Sequence, residues 1–291
     1  ASTGSSNTGC GTSTLQSNTS GNDNTAIGRN AMNLNTTGGQ NTAVGGLALD
    51  ANTTAASNTA VGYASLSDNT TGAQNTALGR AALGGNTTAS NNTGIGFLAL
   101  GANTTGTSNT AVGANALDAN TTGNSSTAVG FNCLTSNTTG ACTAVGKDAL
   151  KFNTTGSSNT AIGNGSLDAN TTASFNTAIG ARALGANTTG SGSCAVGDDS
   201  LNDNTQGNFN VAMGSNALAV NTTGDNNTGI GSAALASNTT ADNNTAVGRA
   251  ALNLNTTGTA NVAVGTNALD TNTTGSANVA IGNDSLSENT V

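Results

Sequence analysis

Few residues of this 291-residue chain have types and spacings that could do chemistry. There is no His, so the commonest general base is missing, and Asp198-Asp199 is the one adjacent acidic pair. No nucleophile stands beside a base at a spacing that would activate it, so an enzyme is not expected. The recurring glycines lack the Gly-Lys-Ser/Thr of a phosphate loop and the Gly-Gly-x-Gly-x-Asp of a calcium repeat. Four cysteines remain, Cys10, Cys133, Cys142 and Cys194. Without His or Cys-x-x-Cys they do not suggest a metal, and no cofactor is expected. Cys133 and Cys142 lie nine apart and are candidates for a disulfide. The most numerous chemical signal is an Asn-x-Ser/Thr glycosylation sequon, at Asn18, Asn35, Asn52, Asn69, Asn86, Asn103, Asn120, Asn137, Asn153, Asn170, Asn187, Asn221, Asn238, Asn255 and Asn272. These would make a stripe of sugars. Further matches, at Asn91-Asn92-Thr93, Asn124, Asn164 and Asn226, show how readily this composition generates the motif.

The sequons recur because nearly the whole chain repeats one seventeen-residue word, typified by Asn41–Ser57. There are 17 copies, counted on the glycine that is Gly45 in this word, and each step is 17 residues except the 16 from Gly130 to Gly146. A fixed period of this kind marks a repeat array rather than ordinary globular domains. Numbering the word from Asn41, position 4 is a large apolar residue in every copy but the first, where it is Cys10; position 9 is Leu, or Met32. Two such residues five apart match neither a helical stripe nor a long alternating strand, but suit a short strand on each side of a turn. Thr-Ala-Val is β-prone, Asn-Thr-Thr-Gly is a turn signal, and the density of Gly, Asn and Thr disfavours helices.

The expected fold is therefore all-β, a single parallel β-solenoid of about 17 coils over residues 1–291, with an incomplete coil at 1–6 and a truncated one at 278–291. Stacked at about 4.8 Å, the coils would make a rod of roughly 80 Å. Positions 4 and 9 are expected to form the core, with Cys10 as a small buried hydrophobe. The Ala at positions 3 and 8, such as Ala43 and Ala48, would face the other way and admit a partner. Asn at position 12, present in every copy, is expected in an inward or turn-capping amide ladder.

With 6 Lys and Arg against 14 Asp and Glu, the net charge of −8 argues against nucleic acid. No apolar run approaches the roughly 20 residues of a membrane span. Charges fall where outward side chains are expected: Arg29, Arg80, Lys147 and Arg249 after the glycine, Asp50, Asp118, Asp168 and Asp270 after the Leu. Tyr63, Phe97 and Phe131 share the post-glycine position and are candidate contact points for a partner or glycan. A chain that opens on Ala1 rather than Met reads either as a processed product or as a fragment.

The pattern Asn-Thr-Ala-Val-Gly-x-x-Ala-Leu, at Asn41–Leu49 and Asn109–Leu117, resembles the head repeats of trimeric autotransporter adhesins. It is similar also to repeats of phage tail-fibre and surface proteins. The likeness covers residues 7–291 and implies a left-handed β-roll, three chains to a head and a host surface as ligand. Neck, stalk, anchor and chaperone segments of those families are not recognisable in this sequence, and its word is longer.

The residues themselves suggest a structural subunit of an extracellular, cell-surface or virion-surface fibre. Ala1, Ser2 and Thr3 at one end and Asn289, Thr290 and Val291 at the other occupy overlapping positions of the word, so head-to-tail self-stacking is expected, with a lateral bundle or trimer through the Ala face. A trimeric adhesin or tail-fibre head is the alternative. An ice-binding solenoid ranks lower, because adjacent Thr at positions 13 and 14 would face opposite ways.

Overall fold

The computed structural model describes residues 3–290. The contacts divide the chain into two units, Ala1–Cys142 and Thr143–Val291, where the sequence suggested one continuous domain. The boundary falls at the end of the sixteen-residue coil. Each unit is a parallel β-solenoid, and no described residue is helical. The first runs from β1 (Thr8–Cys10) to β8 (Thr127–Val129), the second from β9 (Thr143–Val145) to β17 (Val279–Ile281), every strand being three residues long. Within each unit consecutive strands pair in register, like beside like: Thr42 by Thr59, Ala43 by Ala60, Val44 by Val61.

The strands face the opposite way from the sequence expectation. Ala43, Ala60 and Ala111, at position 3, are fully buried, whereas Ile27 is 41% and Leu78 47% exposed at position 4. Cys10, expected in the core, is exposed. The reason is the narrow bore. Positions 2 and 4 share one side of the strand and position 3 the other, and the inner side is already filled by the buried Leu column of position 9. A Cβ placed on Gly94, at position 3, would lie 3.2 Å from Cγ of Leu83. A methyl fits there; a branched side chain would overfill the space. Ala48 and its equivalents at position 8 are buried as well, so the Ala face expected to meet a partner lines the core instead.

The tight turns are made by residues other than the expected asparagines. Leu47, Leu49 and Ser57 have φ of 61°, 50° and 62°, and the pattern recurs around the coils. A left-handed Leu costs on the order of 1 kcal/mol or more, which burying its side chain at about 1.5–3 kcal/mol offsets. The twisted corner also keeps the backbone in the ladder. Leu47 N–H donates to Arg29 O of the coil before at 3.0 Å, and Leu49 N–H donates to Ser65 O of the coil after at 3.1 Å.

Buried asparagines complete the interior. At position 1, Asn41 N–H donates to Asn24 Oδ1 (3.0 Å) and Asn41 Nδ2 to Ala55 O (2.9 Å). At position 12, Asn52 Nδ2 donates to Asn35 Oδ1 (2.8 Å) and to the same Ala55 O (3.2 Å). Two amides thus converge on one carbonyl, and each also joins its coil to the one before. Such groups are costly to bury unpaired, so the ladder contributes register as well as stability. Asn120 Oδ1 has no partner, at the step onto the sixteen-residue coil.

Candidate functional site

The outward surface of a coil has three parts: the strand face of positions 2 and 4, the post-glycine column of position 6, and the Asn-Thr-Thr turn. The structure settles the last differently from the sugar-stripe expectation. Asn35, Asn52, Asn69, Asn86, Asn103, Asn120, Asn137, Asn153, Asn170, Asn187, Asn221, Asn238, Asn255 and Asn272 have no exposed surface, and only Asn18 is partly exposed. The nitrogen that would carry a glycan is the one that donates along the ladder, as Asn86 Nδ2 does to Asn69 Oδ1 (2.9 Å) and Ala89 O (3.0 Å). The folded coil therefore does not present these asparagines for modification. The incidental matches at Asn91, Asn124, Asn164 and Asn226 are the exposed ones. Thr of position 13 also bonds along the axis, Thr36 Oγ1 donating to Thr53 O at 2.9 Å, while Thr54 of position 14 is exposed.

Of the chain-end residues expected to join subunits, Ala1, Ser2 and Val291 lie outside the described residues. Thr3 N–H donates to Thr19 O, and Thr290 O accepts from Thr273 N–H and Oγ1, so these residues follow the same ladder as the rest. Asn289 Nδ2 donates to Asn272 Oδ1 at 3.3 Å.

Cys133 and Cys142, the candidate disulfide pair, are both buried. Burial pushes the Cys133 thiol up to about 12, and burial also raises Cys194. An alkylating reagent at pH 8 is therefore expected to label exposed Cys10 within minutes and Cys133 only as fast as the coil opens. Mass mapping of the native protein checks this, and rapid labelling of Cys133 would contradict the burial.

Asp198 and Asp199 do not make an acid–base pair. Arg182 Nε donates to Asp199 Oδ1 at 2.6 Å, and this hydrogen bond holds the Asp199 carboxyl below its ordinary value and raises Arg182. Asp50, Asp118 and Asp168, after the Leu, are raised chiefly by desolvation. In the second unit a recess of about 400 Å³ collects Asp148, Asp168, Asp203 and Arg182. Among the described residues no group of three or more His, Cys, Asp or Glu could hold a metal ion, and no helix is long and apolar enough to cross a membrane.

Tyr63, Phe97 and Phe131 are 52%, 44% and 49% exposed, in the fourth, sixth and eighth coils of the first unit. Their spacing of two repeats was present in the sequence. It places the rings about 10 Å apart along the ladder. Arg80, in the coil between, has its guanidinium carbon 5.7 Å from the Phe97 ring centroid.

The fold and its surfaces define a tandem-repeat β-solenoid whose regular positions are devoted to joining one coil to the next. Compared with known proteins, the sequence matches no family model and no curated protein.

Proposed function

We propose that this chain is a structural subunit of an extracellular or surface fibre, built by stacking coil upon coil and extended by end-to-end association. The observation that supports this most directly is the direction of the buried hydrogen bonds. Asn of positions 1 and 12 and Thr of position 13 all bond along the axis to the same positions of a neighbouring coil. Any coil therefore carries the groups needed to receive another. Electron microscopy of the purified protein across a concentration series tests it. Fibres that lengthen with concentration are expected; discrete particles of constant length at every concentration would sink the reading.

The second reading, a head that binds a host surface, is favoured by the Tyr63, Phe97 and Phe131 row. Exposed rings at this spacing offer successive stacking platforms to the sugar faces of an extended polysaccharide. Tyr63→Ala, Phe97→Ala and Phe131→Ala combined should then abolish adsorption to an insoluble polysaccharide while leaving the melting temperature unchanged. Equal adsorption by the variant and the parent would remove this reading.

A further inference from the structure

The strand face of the second unit carries no charge. From Thr143 and Val145 to Val279 and Ile281, positions 2 and 4 hold only Thr, Val, Ile, Met and one Cys. Position 6, equally outward, changes freely from Lys147 through Ala181 and Asp198 to Arg249. Solvent alone would not restrict position 4 to aliphatic residues in all nine coils, and the bore does not restrict it either, because these side chains point away from it. Something covers the face.

The exposed area indicates what size of partner is needed. Val145, Ile162, Ile179, Met213, Ile230 and Val264 each leave 37–41% of their surface to solvent. At on the order of 60–70 Å² apiece, the nine aliphatic side chains present about 600 Å² before position 2 is added, the upper end for a monomer's largest apolar patch and close to the roughly 800 Å² per partner of a standard interface.

The register indicates which partner. Ranks along the face repeat once per strand, Thr160 beside Thr177 and Ile162 beside Ile179, so only a surface with the same axial repeat meets every rank alike. A second copy of this chain has that repeat by construction. Among the described residues of 143–290 no other outward column is uniformly apolar: position 11, for example, runs Phe152, Ala169, Ala186, Asp203, Val220, Ser237. The first unit repeats the pattern, from Thr25 and Ile27 to Thr127 and Val129, so each unit has one such face; a two-fold pair uses that face completely, whereas a closed trimer needs two different patches on each chain.

We propose that the Thr/aliphatic face of strands 143–281 is a homodimer interface, the face of one copy packing on the same face of a second. The pair is lateral and independent of end-to-end growth, so fibre formation and dimerisation can fail separately. Sedimentation equilibrium of the full chain at micromolar concentration tests it. Below the concentration at which fibres form, the parent should have twice the 27.7 kDa chain mass. Ile179→Lys combined with Ile230→Lys should raise the dimer dissociation constant at least 100-fold with unchanged circular dichroism and melting temperature. Thr189→Lys, on the exposed turn, should leave the dimer intact. As a readout that needs no variant, alkylation of Cys194, which lies on this face, should slow at least tenfold when the parent is concentrated from the monomeric to the dimeric range. A parent that stays monomeric, a trimer, a monomer with thermal hysteresis marking the face as ice-binding, or lysine variants with the parent's affinity would each overturn the proposal.

Discussion

Gly113→Ala should unfold the coil that carries it, at a cost of about 2–4 kcal/mol. Gly113 has φ of +136°, a region essentially closed to residues with a Cβ, and an added Cβ would stand 2.4 Å from Gly130 O in the next coil. The backbone strain accounts for roughly 1–3 kcal/mol and the crowding for about 1 kcal/mol more, and the two act together because neither can relax without breaking the ladder. The contrast with position 15 separates the two causes. Gly106 is equally crowded, its added Cβ lying 2.3 Å from Gly123 O, but it is not in the positive-φ region, and Ala already occupies the equivalent Ala55, Ala89, Ala173 and Ala241. Gly106→Ala should therefore cost no more than about 1 kcal/mol. Denaturant unfolding compares the two variants; equal midpoints for Gly113→Ala and the parent would refute the argument from φ.

Asn103→Asp should be as damaging at neutral pH, and its damage should depend on pH. Asn103 Nδ2 donates to Asn86 Oδ1 and to Gly106 O, both at 2.9 Å, and Asn103 Oδ1 accepts from Asn120 Nδ2 at 2.8 Å. A carboxylate keeps the acceptor but turns its second oxygen toward two other acceptors in a site without solvent. The cost is about 3–5 kcal/mol while the group is charged. Desolvation and the facing oxygens would raise its pKa in the folded state above the unfolded value of about 3.9. The folded variant then binds the proton more tightly than the unfolded one, so the penalty is complete above the folded pKa and shrinks as pH falls through it. Melting curves of variant and parent at pH 7 and pH 4 measure this. The gap should narrow at pH 4; a gap that widened in acid would contradict it.

Period, strand positions, the Leu column and the inward Asn ladder were legible because a register repeats any local preference 17 times over. The direction in which each strand faces was not. Hydrophobicity alone puts Val44 inside and Ala43 outside, and a three-residue strand offers too little alternation to correct that choice. Volume decides instead: with Leu already in the bore, Ala fits and Val does not. Cys10 was misplaced for the same reason. The glycan row failed on a different point. The same Asn-Thr-Thr letters encode both an acceptor and an amide ladder, and only the direction of the side chain distinguishes them. At the corner, sequence rules assign left-handed backbone to Asn, yet Leu49 adopts it because burial and a ladder bond hold it there. Tyr63, Phe97 and Phe131 were readable only as contact points sharing one position of the word; their exposure as a row along one unit needed the fold.

The asparagine amides also make each solenoid a vector. Asn69, Asn86 and Asn103 all donate toward the amino-terminal side, as do Asn187, Asn204 and Asn221 in the second unit. No amide in either run is reversed, so their dipoles add. A coil exposed on one side offers amide hydrogens and on the other amide oxygens, and a newcomer approaching the wrong way round would set like against like. Were coils to stack end to end, growth would thereby run in one direction only.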